Sequence, residues 1–508
     1  MNRRNFLGLI GGATAAVGLL GLRRSQASAF GAFPTGTDAV QLPPGSRAKK
    51  VLEIFLYGGL SPWETLYFVR GYGQPTDAQY PNSQYYAFAS ANATALGACG
   101  LTDTARVFGT DALNATVELG PFASRLWDRQ DVVGRMRLVV QKHNLEPHEA
   151  AVPQALTGRP VGQPNAAGLG AHVQRARLDA NATPDRASPH AYVFATGGIS
   201  SDNIAAAAAA GSHPGSARPL LVKTDNTTGL ATLLKRGTVG AERDHHDALV
   251  GAYVDQFRGR LAWPDGTRVR SARTDDAAVA HTTTTRVDAI RAVIPDNLLD
   301  IQTGSACGTS RADIPLIGLS AAAHLLTHPT EPASYVCVSD VGLREASGGG
   351  GYDTHTKNAS DTAMNFDNVL QALLGLIAAP GDTAPGKISL DDTLIILNTE
   401  FGRTPTPQLD GRGAATSGRN HHPYGYVTAF IGGPITAAQR GISGAIGPDG
   451  MGAPDQTATP AENRIAALLA LGIWPFSQEA FAVSDVPGAA SEIEAATRAM
   501  TKFLGRTS

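Results

Sequence analysis

The sequence predicts an α/β protein built on a mostly parallel central sheet with helices on both faces. Six short apolar runs carry that prediction: residues 51–56, 138–140, 192–195, 335–338, 393–397 and 426–431. Each run is near-continuous rather than alternating, the pattern of strands buried on both faces. Helical patterns fall between several of them, which argues for strands joined by helical crossovers.

Residues 30–47 read as an extended leader, and the main domain as 48–508. The clearest helix is 361–378, where Met364, Val369, Leu370, Leu373, Leu374 and Ile377 form one apolar stripe. Ser360 or Asp361 is expected to cap it and Pro380-Gly381 to end it. The stretch of about 160–330 holds an alanine run at 205–210, threonines at 282–285 and many loop residues, and reads as insertions on the main domain. From 460 to 508 the chain reads as helical, with Ile465, Leu468, Leu469 and Leu471 as its stripe. With 508 residues the chain can bury one large core or two ordinary ones.

The first residues carry an address. Asn2-Arg3-Arg4-Asn5-Phe6-Leu7 resembles the signature of twin-arginine export signals. The apolar run that follows, 8–22, is diluted by Gly11, Gly12, Gly18 and Gly21 and is shorter than the ~20 residues that span hydrocarbon comfortably. Arg23 and Arg24 precede Ala27-Ser28-Ala29, a small-residue site for signal peptidase. The expectation is a signal peptide over 1–29, the twin-arginine translocase as a partner during export, and a periplasmic or extracellular mature protein. An uncleaved anchor helix is the alternative. No later run reads as a membrane span.

Removing 1–29 removes four arginines and no acids, leaving 38 basic against 44 acidic residues and a formal charge of −6. That balance provides no electrostatic footprint for nucleic acid or anionic lipid. Of the three cysteines, Cys99 and Cys307 lie in glycine-flanked segments where a bridge is possible in an oxidising compartment. Cys337 lies inside a strand pattern, as a small core residue without a partner.

Four segments place histidines, acids and glycines after predicted strands, where open α/β sheets bind their ligands. Gly58-Gly59-Leu60-Ser61-Pro62-Trp63-Glu64 combines a sharp turn with two reactive side chains, Ser61 and Glu64; a plain turn capped by Ser61 accounts for it equally. His143-Asn144-Leu145-Glu146-Pro147-His148-Glu149 offers two histidines and two acids for metal or proton transfer, with one histidine expected to be structural. Tyr352-Asp353-Thr354-His355 follows a run of glycines and sets an acid and an imidazole two residues apart on extended chain. Glu400 in Thr399-Glu400-Phe401-Gly402-Arg403-Thr404 sits at a strand's carboxyl end, Arg403 offers a planar fork for an anion, and Asn420-His421-His422-Pro423 completes the set.

In chain order, Gly58-Gly59, His148 with Thr157-Gly158-Arg159-Pro160, Tyr352-Asp353-Thr354-His355, Glu400-Phe401-Gly402-Arg403-Thr404 and Asn420-His421-His422 resemble domain-of-unknown-function family 1501, a sulfatase-like branch of the alkaline-phosphatase superfamily. The matching blocks span roughly residues 50–440. The resemblance implies a mostly parallel sheet with a site at its carboxyl edge and hydrolysis of phosphate or sulfate esters assisted by one or two divalent cations. By position, Asp353, His355, Glu400, His421 and His422 resemble the metal-ligand blocks, for Zn, Mn or a similar ion. Arg403 resembles an anion-holding group.

The departures are equally specific. Ser61 stands where relatives often carry an acid, Phe401 replaces a histidine, and His148 occupies the position of the sulfatase nucleophile. A modified-cysteine mechanism is therefore excluded. The expected function is an exported, metal-assisted hydrolase of a small or polymeric anionic ester. His148 would be nucleophile, general base or metal ligand, Arg403 would hold the anion, and Ser61 is a further reactive candidate. The alternative is a non-catalytic exported protein that keeps the fold and binds a polymer, glycan or partner.

Overall fold

A computed structural model describes residues 29–73, 90–102, 104–163, 167–180, 192–196, 220–223, 240–260, 281, 285, 287–298, 303–307, 309–312, 314–342 and 351–506. Residues 1–28 of the expected export signal, the alanine run, threonines 282–284 and glycines 348–350 lie outside these residues. Among the described residues the main sheet has eight strands, in chain order β1 (Lys50–Leu56), β2 (Met136–Gln141), β3 (Tyr192–Thr196), β4 (Leu220–Lys223), β5 (Tyr335–Asp340), β6 (Thr393–Asn398), β7 (Tyr426–Gly432) and β8 (Gly441–Ser443). Across the sheet they run β8-β2-β7-β6-β1-β5-β3-β4. All six apolar runs are strands.

Neighbouring strands pair in parallel, except that β7 is antiparallel to both β6 and β2. The sheet is therefore mixed but mostly parallel, as expected, with β7 as its reversed strand among the described residues. A continuous apolar run reports burial on two faces and carries no sign of direction.

Both faces are covered. Leu52, Ile54 and Leu56 of β1 enter one core together with Ile317 and Leu325 of helix α3 (Ile314–Leu326) and Phe366, Val369 and Leu373 of α4 (Asn358–Leu376). The alternate residues Val51 and Phe55 enter a second core. There they meet α1 (His148–Thr157), α2 (Leu169–Ala180), α5 (Pro460–Ala470) and α6 (Glu492–Ala499) through Val152, Val173, Ile465 and Ala496. Strand side chains alternate between faces, so one strand feeds both cores.

Two local details differ from the sequence reading. Helix α4 begins at Asn358, before Ser360 and Asp361, and the residue ahead of it, Lys357, turns through a positive φ of 55°. The helix ends at Leu376 because Ile377 is already extended, so Pro380-Gly381 lies beyond its terminus. At α5, Thr459 accepts from the Glu462 amide and the Glu462 carboxylate accepts from the Thr459 amide, a reciprocal cap followed by Pro460.

Cys99 and Cys307 form a disulfide, and Cys337 is a buried free thiol. Burial, followed by the charge of Glu53, pushes the Cys337 thiol well above its ordinary value. Thiolate is the reactive form, so Cys337 is expected to resist iodoacetamide in the native protein and to react fully after unfolding in denaturant. Mass spectrometry of the alkylated peptide checks this, and fast native labelling would contradict the burial. Among the described residues no helix is long and apolar enough to cross a membrane.

Candidate metal centre

β1, β2 and β6 all point towards one sheet edge, and the reversed β7 begins there. That reversal brings residues 421–422, which immediately precede β7, to the edge where the parallel strands end. Asp353 and His355 arrive on the segment that leads into α4. A glycine is required at the crossing: Gly58 has φ of 108°, and a Cβ there would lie 2.1 Å from the Asp353 amide nitrogen. Gly58→Ala is expected to cost about 1–3 kcal/mol of stability from backbone strain alone and to displace Asp353. Calorimetry checks it; an unchanged melting temperature would mean that the two loops separate freely.

Asp353 is the hub. Its Oδ1 lies 3.1 Å from His355 Nε2, 3.3 Å from His421 Nε2 and 3.4 Å from His148 Nε2. His355 Nε2 is also 3.1 Å from His421 Nε2. Each imidazole is oriented from behind through its other nitrogen. His148 Nδ1 faces Glu400 Oε1 at 2.9 Å, His421 Nδ1 faces the Glu146 main-chain oxygen at 2.8 Å, and His355 Nδ1 faces Gln408 Oε1 at 2.9 Å. Carboxylate and carbonyl oxygens only accept, so the neutral rings carry their proton on Nδ1 and turn the Nε2 lone pair towards Asp353. Tyr57 and Phe401 pack against the His148 ring, and Phe401 stacks on His421. Phe401 thus walls the site.

Electrostatics follow from that geometry. Burial lowers the basicity of His148, but the facing carboxylates of Asp353 and Glu400 outweigh it and raise its pKa to about 9. Burial pushes Asp353 upward, yet the three imidazoles and Arg403 hold it well below the usual carboxylate range. Burial keeps His421 below its ordinary value. Asp353 thus brings a permanent negative charge to the cluster, and His148 Nε2 becomes an acceptor once its proton is displaced.

Such a set fits a cation. The ligand atoms of His148, Asp353 and His421 all lie within 4.8 Å of one another. A tetrahedral ion with ligands at about 2.0–2.1 Å spaces them about 3.4 Å apart, and the three separations from Oδ1 run from 3.1 to 3.4 Å.

The other predicted residues have different places. Glu400 accepts from the Gly58 amide at 2.7 Å and from His148 Nδ1. Since the two nitrogens of an imidazole point apart, Glu400 lies behind His148 and does not share a ligand position with Asp353. His422 turns away and donates from Nε2 to the Gly450 oxygen at 2.7 Å. Arg403 is fully buried; it donates to Asp353 at 2.5 Å, to the Arg419 oxygen at 3.0 Å and to the Gly58 and Gly59 oxygens. It presents no surface to an incoming anion. Ser61 donates to Glu64, which also accepts from Asn358, in a separate buried network. His143 accepts from the Leu145 amide and donates to the Glu400 main-chain oxygen, so it is the structural histidine of its pair. Glu146 was offered for its carboxylate, whereas the contact to His421 uses its main-chain carbonyl, which has no sequence signal; Gln408, in a polar hairpin, was not singled out.

No curated protein matches the chain. Residues 334–471, the stretch that supplies Asp353, His355 and His421, match the family model described as protein of unknown function (DUF1501), which supports the family read from the motifs.

Proposed function

We propose that the chain is a divalent-metal-dependent hydrolase working outside the cytoplasm, with its cation held by His148, Asp353 and His421 and with His355 beside them. The observation that carries the reading is the convergence of the ligand atoms of His148, Asp353 and His421 within 4.8 Å of one another, with His355 Nε2 3.1 Å from Asp353 and from His421 and each imidazole held by an oxygen behind it. A divalent cation at such a site supplies a water of lowered pKa and a counter-charge for the oxyanion that develops during ester hydrolysis. Asp353 contributes the fixed charge, Arg403 balances and aims that carboxylate, and Glu400 keeps the His148 lone pair turned inward.

The sulfatase-like motif order supports an ester of phosphate or sulfate as substrate, and the burial of Arg403 means that the ester's charge would be met by the cation itself. Export is supported by the twin-arginine signature and by the Cys99–Cys307 disulfide, a bond that persists in oxidising compartments. Elemental analysis of the purified protein is expected to find about one divalent ion per chain, with hydrolysis of some phosphate or sulfate ester abolished by a chelator. Metal without turnover would favour the non-catalytic reading, which the buried Arg403 also supports. Absence of metal would overturn the hydrolase and leave the non-catalytic binding reading.

A further inference from the structure

The three imidazoles are not held alike. His148 and His421 rest on groups that can only accept, the Glu400 carboxylate and the Glu146 main-chain carbonyl, so their Nδ1 proton is fixed. His355 rests on the Gln408 side-chain amide, which accepts through its oxygen or donates through its nitrogen after a half-turn. That partner tolerates both tautomers of His355. One directs the Nε2 lone pair at a cation; the other puts a proton on Nε2, within 3.1 Å of both His421 Nε2 and Asp353 Oδ1.

Exposure divides the set in the same way. The side chain of His355 is 30% exposed, against 19% for His421, 14% for His148 and 4% for Asp353. The backbone beneath His355 is nevertheless fixed. A Cβ on Gly418 would lie 1.7 Å from the His355 oxygen, and Ser417 binds the amides of Lys357 and Asn358. Any motion is therefore confined to the ring. Gln408 stands on the hairpin that runs through Leu409 and Ala415, paired to it through Gln408–Gly418 and Thr416–Gln408 backbone bonds.

Resting on the metal-centre reading, we infer that His355 is an exchangeable fourth ligand. It closes the centre at rest and leaves it when a substrate oxygen takes its place, while Gln408 turns to keep a hydrogen bond to the released ring. Closed four-ligand sites are structural and catalytic ones keep a position open; a ligand with an ambidextrous partner serves both states.

The test loads the full mature chain with Co2+, whose d–d absorption reports coordination number, and titrates azide as a small competing ligand. His355→Ala is expected to keep one Co2+ with affinity lowered about 10–100-fold and with an altered spectrum, whereas His148→Ala loses more than 100-fold. Gln408→Glu, an acceptor-only partner, is expected to fix the ligating tautomer and weaken azide binding about tenfold, with no change in the thermal melt. His355→Gln controls for packing. If His355→Ala lowers Co2+ affinity as far as His148→Ala, or leaves the spectrum unchanged, the exchange idea is overturned while the metal centre stands. If the wild-type chain binds no Co2+, the metal-centre reading falls and takes this one with it.

Discussion

Replacing His148 with alanine is expected to lower divalent-metal affinity more than 100-fold, beyond the loss of roughly 10–100-fold typical of removing a supporting partner, and to leave the fold intact. His148 lies at the amino end of α1 with its ring between Asp353 and Glu400. It makes little of the core, so its loss removes a ligand and not a packing element. Titration calorimetry with Zn2+ measures the effect, and a variant within tenfold of wild type would remove His148 from the ligand set. The pH dependence has a definite sign. Because the folded pKa of His148 is raised from 6.5 to about 9, metal uptake below pH 9 must displace a proton. Affinity is expected to climb with pH and level off near 9. In the metal-free chain the same raised pKa contributes stability that is fully present below pH 6.5 and lost as pH rises through about 9.

Arg464→Met is expected to destabilise the protein by about 3–5 kcal/mol, the cost of leaving a buried charge without its partner. Glu53 lies in the middle of β1, and both it and Arg464 of α5 are wholly buried. Arg464 donates to both Glu53 oxygens at 2.8 and 2.7 Å, while Tyr335 and Asn398 donate to the same carboxylate at 2.5 and 2.8 Å. The network ties β1, β5 and β6 to one helix just below the site edge. Combining Arg464→Met with Glu53→Leu should recover part of the loss, because it removes the orphaned charge while taking the carboxylate acceptor from Tyr335 and Asn398. Denaturant melts of the two variants decide it. Equal destabilisation in single and double variants would place the effect in packing instead of charge.

Much of the fold was legible in the amino-acid order because burial on both faces leaves a strong mark. β1, β2, β3, β5, β6 and β7 all announce themselves as apolar runs, even with Glu53 inside the first. β8 has only three residues, each partly exposed, and β4 is a four-residue strand in a loop-rich stretch. The direction of β7 was not legible, and it matters because only an antiparallel β7 delivers His421 to the edge where β6 ends.

The candidate site was legible in its residue types and less so in its geometry. Asp353, His355 and His421 meet as the motifs suggested, and His148 joins them from the short list of its possible roles. His421 and His422 form a two-residue extended pair with Gly402 and Arg403. Successive side chains in such a segment face opposite ways, so only one of the tandem histidines can reach the centre. Glu400 and Arg403 looked like a ligand and an anion clamp because both are chemically suited to those tasks. In the structure both are buried, Glu400 against His148 Nδ1 and Arg403 against Asp353.

X-ray absorption at the zinc edge of the Zn2+-loaded protein reads whether three imidazoles and one carboxylate share a single cation. A shared site gives a shell of nitrogen and oxygen at about 2.0–2.1 Å, with the outer-shell scattering of at least two imidazole rings and no sulfur. A shell of oxygens alone, without imidazole scattering, would place the metal elsewhere on the protein.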